Sequence, residues 1–253
     1  MNILWLDLNS SYAHSSLALP AIQAQMMDDT NIEWNIVSAT INESPNIIAG
    51  KVAAAEPDVI AATCWLFNHD VLMHVLARAK AMVPNSMIIL GGPEFLGDNE
   101  DFLRRHPFVD IILRGEGEEA FPLWIKHIND IDKWKDITGL CYIHNDIYQD
   151  GGIARAMDFD SLTPPEESPL FNWSKPFVQL ETTRGCFNTC AFCVSGGEKP
   201  VRSLSIDTIR KRIDNIHRHG IRNIRVLDRT FNYNSRHAKA LLDLFREYSD
   251  IHF

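Results

Sequence analysis

Short apolar runs of strand length alternate with stretches of helical spacing through the first half of the chain. The runs at 3–8, 33–38, 59–63, 87–90 and 110–113 read as strands. Between them, Ser44-Pro45 predicts a capped helix running to Ala55, and Asn68 predicts the cap of another running to Met82. This alternation predicts an α/β fold, a doubly wound five-stranded parallel sheet covered on both faces. Beyond it, 117–127 has helical spacing and 137–148 reads as a hairpin turned at Asn145-Asp146. Segment 160–175 carries Thr163-Pro164-Pro165, Pro169 and several acids without apolar periodicity, which predicts a linker, with Phe171 and Trp173 pinning it to a domain surface. The pattern resumes with a strand at 177–183, a helix at 206–219 capped by Ser205 and stopped by Gly220, a strand at 223–227 and a helix at 235–249. Ile206, Ile209, Ile213 and Ile216 give that first helix a core stripe. The expected divisions are 1–135 for the leading Rossmann-like domain, 136–176 for hairpin and linker, and 177–253 for a second α/β unit.

Composition narrows the function classes. The 253 residues carry a formal net charge of -9, which disfavours a nucleic-acid backbone as the main partner. Arg202, Arg210, Lys211, Arg212, Arg218, Arg222 and Arg225 make one region locally basic, but Asp207 and Asp214 are interleaved, so a solvated face is expected there. No stretch approaches the ~20 apolar residues of a membrane span. The opening Met1-Asn2-Ile3-Leu4-Trp5-Leu6-Asp7 lacks the basic start of a secretory signal, so a cytoplasmic location is expected.

Three of the five cysteines sit together, in Glu181-Thr182-Thr183-Arg184-Gly185-Cys186-Phe187-Asn188-Thr189-Cys190-Ala191-Phe192-Cys193. Gly185 lets the chain turn from the strand into a loop short enough to wrap three thiolates around one metal centre. Zinc takes four protein ligands and an ordinary ferredoxin cluster four cysteines, yet no fourth follows, so one coordination position is left open. The bland alternative is a set of unliganded cysteines or an adventitious zinc site. Cys64 and Cys141 read as small core residues.

The C-x3-C-x2-C spacing, with Phe192 before the last cysteine and Ser195-Gly196-Gly197 after it, resembles the radical S-adenosylmethionine superfamily. The resemblance implies a [4Fe-4S] cluster on Cys186, Cys190 and Cys193, with S-adenosylmethionine chelating the fourth iron. It implies a βα barrel starting at Phe177, a contact from Asp228 to the methionine amine, and a one-electron reductant such as flavodoxin or ferredoxin as partner.

In doubly wound sheets ligands sit beyond the carboxyl ends of the strands. The loops there hold His14, Ser15 and Ser16; Thr63, Cys64 and Trp65; Gly91, Gly92, Pro93 and Glu94; and Gly115, Glu116 and Gly117. Gly91-Gly92 taken alone is equally well a plain turn. Together these loops resemble the cobalamin-binding domain that precedes many radical S-adenosylmethionine barrels, which implies cobalamin as a further cofactor. The D-x-H-x-x-G box that ligates cobalt in some relatives is absent, because Asp7 is followed by Leu8 and Asn9. His14 is the one candidate ligand on that loop, with flanks that do not fit the box, so a cobalt lower face free of protein nitrogen is expected.

The resemblance implies a cobalamin-dependent radical S-adenosylmethionine enzyme, with methyl transfer to an unactivated carbon as the leading reaction. Alternatives are an oxidative cyclase of the porphyrin kind, a methylthiotransferase, which would want three further cysteines, and a non-catalytic cobalamin-binding sensor or carrier. No catalytic residue and no particular small-molecule or peptide substrate follows from the sequence. Because 251–253 falls where a third barrel strand would begin, the chain reads as the front portion of a longer enzyme, incomplete for turnover.

Overall fold

The computed structural model describes residues 1–14, 16–194 and 198–253, which fall into two compact units, Met1–Ala156 and Met157–Phe253. The first unit runs β1 (Asn2–Asn9), α1 (Ala18–Ala24), β2 (Glu33–Thr40), α2 (Pro45–Ala54), β3 (Val59–Thr63), α3 (His69–Met82), β4 (Met87–Gly91), α4 (Glu100–Arg105), β5 (Ile111–Leu113), α5 (Gly117–Lys126), α6 (Ile131–Trp134), β6 (Leu140–His144) and β7 (Ile147–Asp150). Strand order is β2-β1-β3-β4-β5-β6-β7. The first five strands are parallel, as their apolar runs predict, and β1 bonds to β2 on one side and β3 on the other.

Alternate residues along these strands bury on opposite faces. Leu4, Leu6, Ile60, Ala62, Ile88, Leu90 and Ile112 join one core cluster with Ile48, Val52, Leu72, Val75 and Leu76 of α2 and α3. Ile3, Trp5, Val59, Ala61, Ile89 and Ile111 are equally buried on the other face, where α1 packs against α5. Burial on both faces is what the near-continuous apolar runs encode.

The hairpin extends the sheet instead of standing apart from it. β6 lies antiparallel to β5, with Ile111 opposite Tyr142, and β7 follows across a turn in which Asn145 and Asp146 both have positive φ. Without it β5 would present an unpaired edge. The predicted helix starts need two adjustments. Ser44 has cap backbone but no capping side-chain bond. Asn68 does not cap α3: its Oδ1 accepts from the Trp65 amide at 2.8 Å, while its Nδ2 donates to the carbonyls of Leu8 and Thr63 at 3.0 and 3.1 Å. It ties the loop after β3 to the ends of β1 and β3.

The second unit contains β8 (Val178–Leu180), β9 (Thr183–Arg184), β10 (Arg202–Ser203), α7 (Ile206–Arg218), β11 (Ile224–Val226) and α8 (Ser235–Phe245). The single strand predicted at 177–183 is two short pieces, β8 parallel to β11 and β9 antiparallel to β10. Ser205 caps α7 as predicted, its Oγ accepting from the Thr208 amide at 3.1 Å, and Ile209, Ile213 and Ile216 are fully buried. α8 stops at Phe245, short of 249, because the following amides turn back tightly, Glu247 to Leu244 and Tyr248 to Phe245.

The expected linker is structured. Glu166, in a short 3-10 turn, is buried and accepts two hydrogen bonds from Arg212 of α7, Nε at 3.0 Å and a terminal nitrogen at 2.7 Å. Arg212 is therefore a core residue, not part of a solvated basic face, and other cations of that face are partnered: Arg210 with Glu247, Arg222 with Asp250, and Arg225 over the Phe177 ring at 3.5 Å. Trp173 stacks on His219 at 3.8 Å, which pins the segment as its aromatic residues predict.

Candidate functional site

Two groups of loops carry the candidate chemistry, one in each unit. In the first unit these are the loops at the carboxyl ends of β1, β3, β4 and β5. After β1, the His14 ring Nδ1 lies 2.9 Å from Ser11 Oγ, and Ser16 Oγ accepts from the Ala18 amide at the start of α1. Ser15 lies outside the described residues. Tyr12 donates to Glu43 at 3.1 Å. The Thr40 amide and then the Tyr12 hydroxyl hold the Glu43 carboxyl below the usual range.

After β3 the chain exposes Trp65, Leu66 and Phe67, with Leu66 at 83% and the two aromatic rings stacked 6.4 Å apart at 18°. Three consecutive exposed apolar residues at the carboxyl edge of a sheet form a flat surface that a large planar ligand could cover. Asn68, buried beneath them, fixes this shelf to β1 and β3. Cys64 does not belong to it. Its side chain is fully buried in the core cluster, and burial pushes its thiol up to about 12, helped by the Glu94 charge.

Gly91 and Gly92 differ in kind. A Cβ at Gly91 would meet only Leu113 O, at 3.5 Å, an ordinary contact. Gly92 has φ +112, and a Cβ there would sit 2.5 Å from Cys64 O. Its glycine is required by the chain's own backbone, and a bulky residue placed there tests the fold before it tests any ligand. Pro93 and Glu94 follow in a 3-10 turn. The loop after β5 is closed by the chain itself: Ala154 donates to Arg114 O at 2.9 Å, Glu116 donates back to Ala154 O at 3.0 Å, and Glu116 Oε2 accepts from the Ala156 amide at 2.8 Å. Gly115 admits that close approach and Gly117 seats α5 against Ile22. Gly115, Glu116 and Gly117 are thus engaged in contacts within the chain.

In the second unit the cysteine loop leaves β9 through Gly185, φ +94. Cys186 is half-buried, Cys190 and Cys193 are exposed, and Phe192 is 93% exposed. The Cys193 amide donates to Cys190 O at 3.0 Å, giving the loop a tight turn. Among the described residues, no three His, Cys, Asp or Glu side chains converge as a metal site, so the sulfurs share one loop without being preassembled. Ser195, Gly196 and Gly197 lie outside the described residues. The donor set, three soft thiols on one short exposed loop, fits an iron–sulfur cluster with an open iron.

The loop after β11 holds this segment in place through three consecutive residues. Asp228 Oδ1 accepts from the amides of Thr182 and Thr183 at 2.8 and 2.9 Å, and Oδ2 accepts from the Thr182 hydroxyl. Arg229 pairs with Glu198, whose carbonyl accepts from the Cys186 amide at 3.0 Å. Thr230 Oγ1 lies 3.1 Å from Cys186 Sγ. The Thr230 hydroxyl, then Asn188 and the Arg229 charge, lower the Cys186 thiol from its ordinary value. Asp228, expected at the methionine amine, braces the strand that precedes the cysteines. Arg229 and Thr230 were not singled out from the sequence; their signal is only that they follow the second strand of a βα unit, where such contacts arise.

Comparison with known proteins matches residues 6–124 to the B12 binding domain and residues 180–253 to the Radical SAM superfamily. The chain is 28% identical over 204 residues to a 2-(S-pantetheinyl)-carbapenam-3-carboxylate methyltransferase of Streptantibioticus cattleyicolor, covering 74% of this chain and 30% of that protein. It is 26% identical over 194 residues to the cobalamin-dependent radical SAM methyltransferase TokK of Streptomyces tokunonensis, covering 70% and 28%. The fold matches the cobalamin-dependent S-adenosylmethionine radical enzyme OxsB, solved with aqua-cobalamin and S-adenosylmethionine bound, at a TM-score of 0.74, with 19% identity and coverage of 96% of this chain and 36% of that one. The chain thus spans about a third of the length of these relatives. Among the described residues no helix is long and apolar enough to cross a membrane.

Proposed function

Because the chain belongs to the radical S-adenosylmethionine proteins that carry a B12-binding domain, we propose that it supplies the cobalamin-binding and cluster-binding parts of an enzyme transferring a methyl group to an unactivated carbon. The observation that carries the reading is the pairing, in one chain, of an open apolar strand-end shelf with a braced loop of three accessible thiols. When bound, the cluster supplies an electron to cleave S-adenosylmethionine and cobalamin supplies the methyl group.

The chain's own residues have distinct tasks. Cys186, Cys190 and Cys193 hold the cluster. Asp228 keeps Thr182 and Thr183 in register so that the loop leaves β9 at a fixed point. Trp65, Leu66 and Phe67 offer the corrin an apolar surface and keep water off the face they cover. Gly91 leaves room for backbone approach beside them. His14 Nδ1 is engaged with Ser11, and the loop carries no box that would aim the imidazole at cobalt. Because that box is missing, we take the cobalamin face to be free of protein nitrogen, and we take the electrons to come from a small one-electron carrier such as flavodoxin or ferredoxin.

Anaerobic reconstitution of the chain with iron, sulfide and cobalamin tests the proposal. The expected product holds about four iron and four sulfide and one cobalamin, with iron lost in each of Cys186→Ala, Cys190→Ala and Cys193→Ala. Full iron occupancy in the triple variant, or no cobalamin retained, would overturn it.

A further inference from the structure

We propose that Thr230 tunes the reduction potential of the cluster by donating a hydrogen bond to the Cys186 sulfur. The inference rests on the cluster assignment above and adds a residue that the three-cysteine spacing does not contain.

The Oγ1 to Sγ distance is 3.1 Å, short for a contact with sulfur. With both groups neutral either could donate. A cysteine bound to iron is a thiolate without a proton, so the hydroxyl is then the sole donor and the contact becomes charge-assisted. Thr230 reaches this position because its two predecessors are fastened, Asp228 to the Thr182 and Thr183 amides and Arg229 to Glu198. The Cys186 end is fastened as well, through its amide on Glu198 O. Donor and sulfur are therefore held from both sides.

A hydrogen bond to a ligating sulfur stabilises the more negatively charged state. Reduction adds one electron to the cluster, so the bond strengthens on reduction and raises the potential. Cys190 and Cys193 are solvent-exposed, and among the described residues neither has a comparable side-chain contact. Among the described residues the effect acts through Cys186.

The test uses the full chain, reconstituted anaerobically. Iron content and the reduced-cluster paramagnetic signal of the parent report on the cluster assignment, independently of Thr230. Thr230→Val keeps the shape and removes the donor; Thr230→Ser restores it. With iron content equal to the parent, Thr230→Val is expected to show a roughly tenfold lower reduced-to-oxidised ratio at a fixed redox poise, about 59 mV for a one-electron couple, and Thr230→Ser a value close to the parent. Resonance Raman spectra should show an iron–sulfur stretch shifted further by deuterium exchange in parent and Thr230→Ser than in Thr230→Val, where Asn188 still contacts the sulfur. Should Thr230→Val load poorly, Thr230→Ala serves for the same comparison. Unchanged potential and unchanged deuterium sensitivity without the hydroxyl would overturn the inference. So would equal shifts in the valine and serine variants, which would mean shape and not hydrogen bonding. A parent that loads no cluster would overturn the cluster assignment and this inference with it.

Discussion

Glu166 and Arg212 form a two-pronged ion pair whose side chains are almost wholly removed from solvent, and Arg212 also donates to Glu181 O at 3.0 Å. One side chain thereby joins the segment before the second unit's sheet to the end of β8, next to the cysteine loop. Removing one partner leaves a charge buried without compensation, at a cost of about 3–5 kcal/mol, whereas replacing both with apolar residues is often close to neutral. Glu166→Ala should therefore strongly raise hydrogen exchange in 178–184, and a Glu166→Met, Arg212→Leu double variant should restore most of the protection. Exchange in Glu166→Ala within threefold of the parent would show that the pair does not hold this region.

The adjacent glycines Gly91 and Gly92 should differ in how much stability an added methyl group costs. Gly92→Ala must hold a left-handed backbone and push Cys64 O away, so a loss of at least ~2 kcal/mol is expected in thermal unfolding. Gly91→Ala meets only an ordinary contact and should cost less than ~1 kcal/mol. It also adds a methyl group at the open strand end, so weaker cobalamin binding with an unchanged melt would place the cofactor there. Equal melts for both variants would contradict the strained geometry.

Thiol reactivity should separate the five cysteines in the cluster-free chain. Near neutral pH, iodoacetamide should label Cys190 and Cys193 because they are exposed, and Cys186 because its thiol is lowered by Thr230 and Asn188. Cys64 and Cys141, both buried and raised by burial, should label only on unfolding. Peptide mass spectrometry showing early modification of Cys64 would mean its loop opens.

Cys64 also makes an alkaline prediction. Its folded thiol ionises near 12, above the ~8.5 of an unfolded cysteine. The folded state thus keeps a proton that the unfolded chain gives up, so its contribution is complete below about pH 8.5 and is lost as pH rises toward 12. Denaturation midpoints should fall across that window, and less steeply in Cys64→Ala. Identical slopes in the two chains would refute the assignment.

Asp228→Asn tests whether this residue braces the chain or merely meets a ligand. The amide keeps the Oδ1 that both backbone amides share but replaces Oδ2 with a donor, so the buried Thr182 hydroxyl loses its acceptor and the amides lose a charged partner. A loss of about 1–3 kcal/mol from the second unit is expected without any ligand. A variant that exchanges like the parent but binds S-adenosylmethionine more weakly would return Asp228 to the role suggested by its place after the second strand.

Periodicity by itself determined the layered architecture, because strands buried on both faces need unbroken apolar runs and covering helices need a stripe, and both are local properties of sequence. Ile3 to Leu8, the stripe through Ile209, Ile213 and Ile216, and the Asn145-Asp146 turn were legible for that reason. So was the cysteine spacing, since three ligands on one loop need no distant partner. What only the tertiary structure decided is which polar groups meet across the fold. Arg212 looks like a surface cation until α7 packs over Glu166, Gly115 gives no sign that Ala154 pairs with it, and Asp228 and Thr230 are ordinary polar residues until β11 lies beside β8. Polar groups taken out of water must find partners, and those partners lie tens of residues away where no local pattern can point to them.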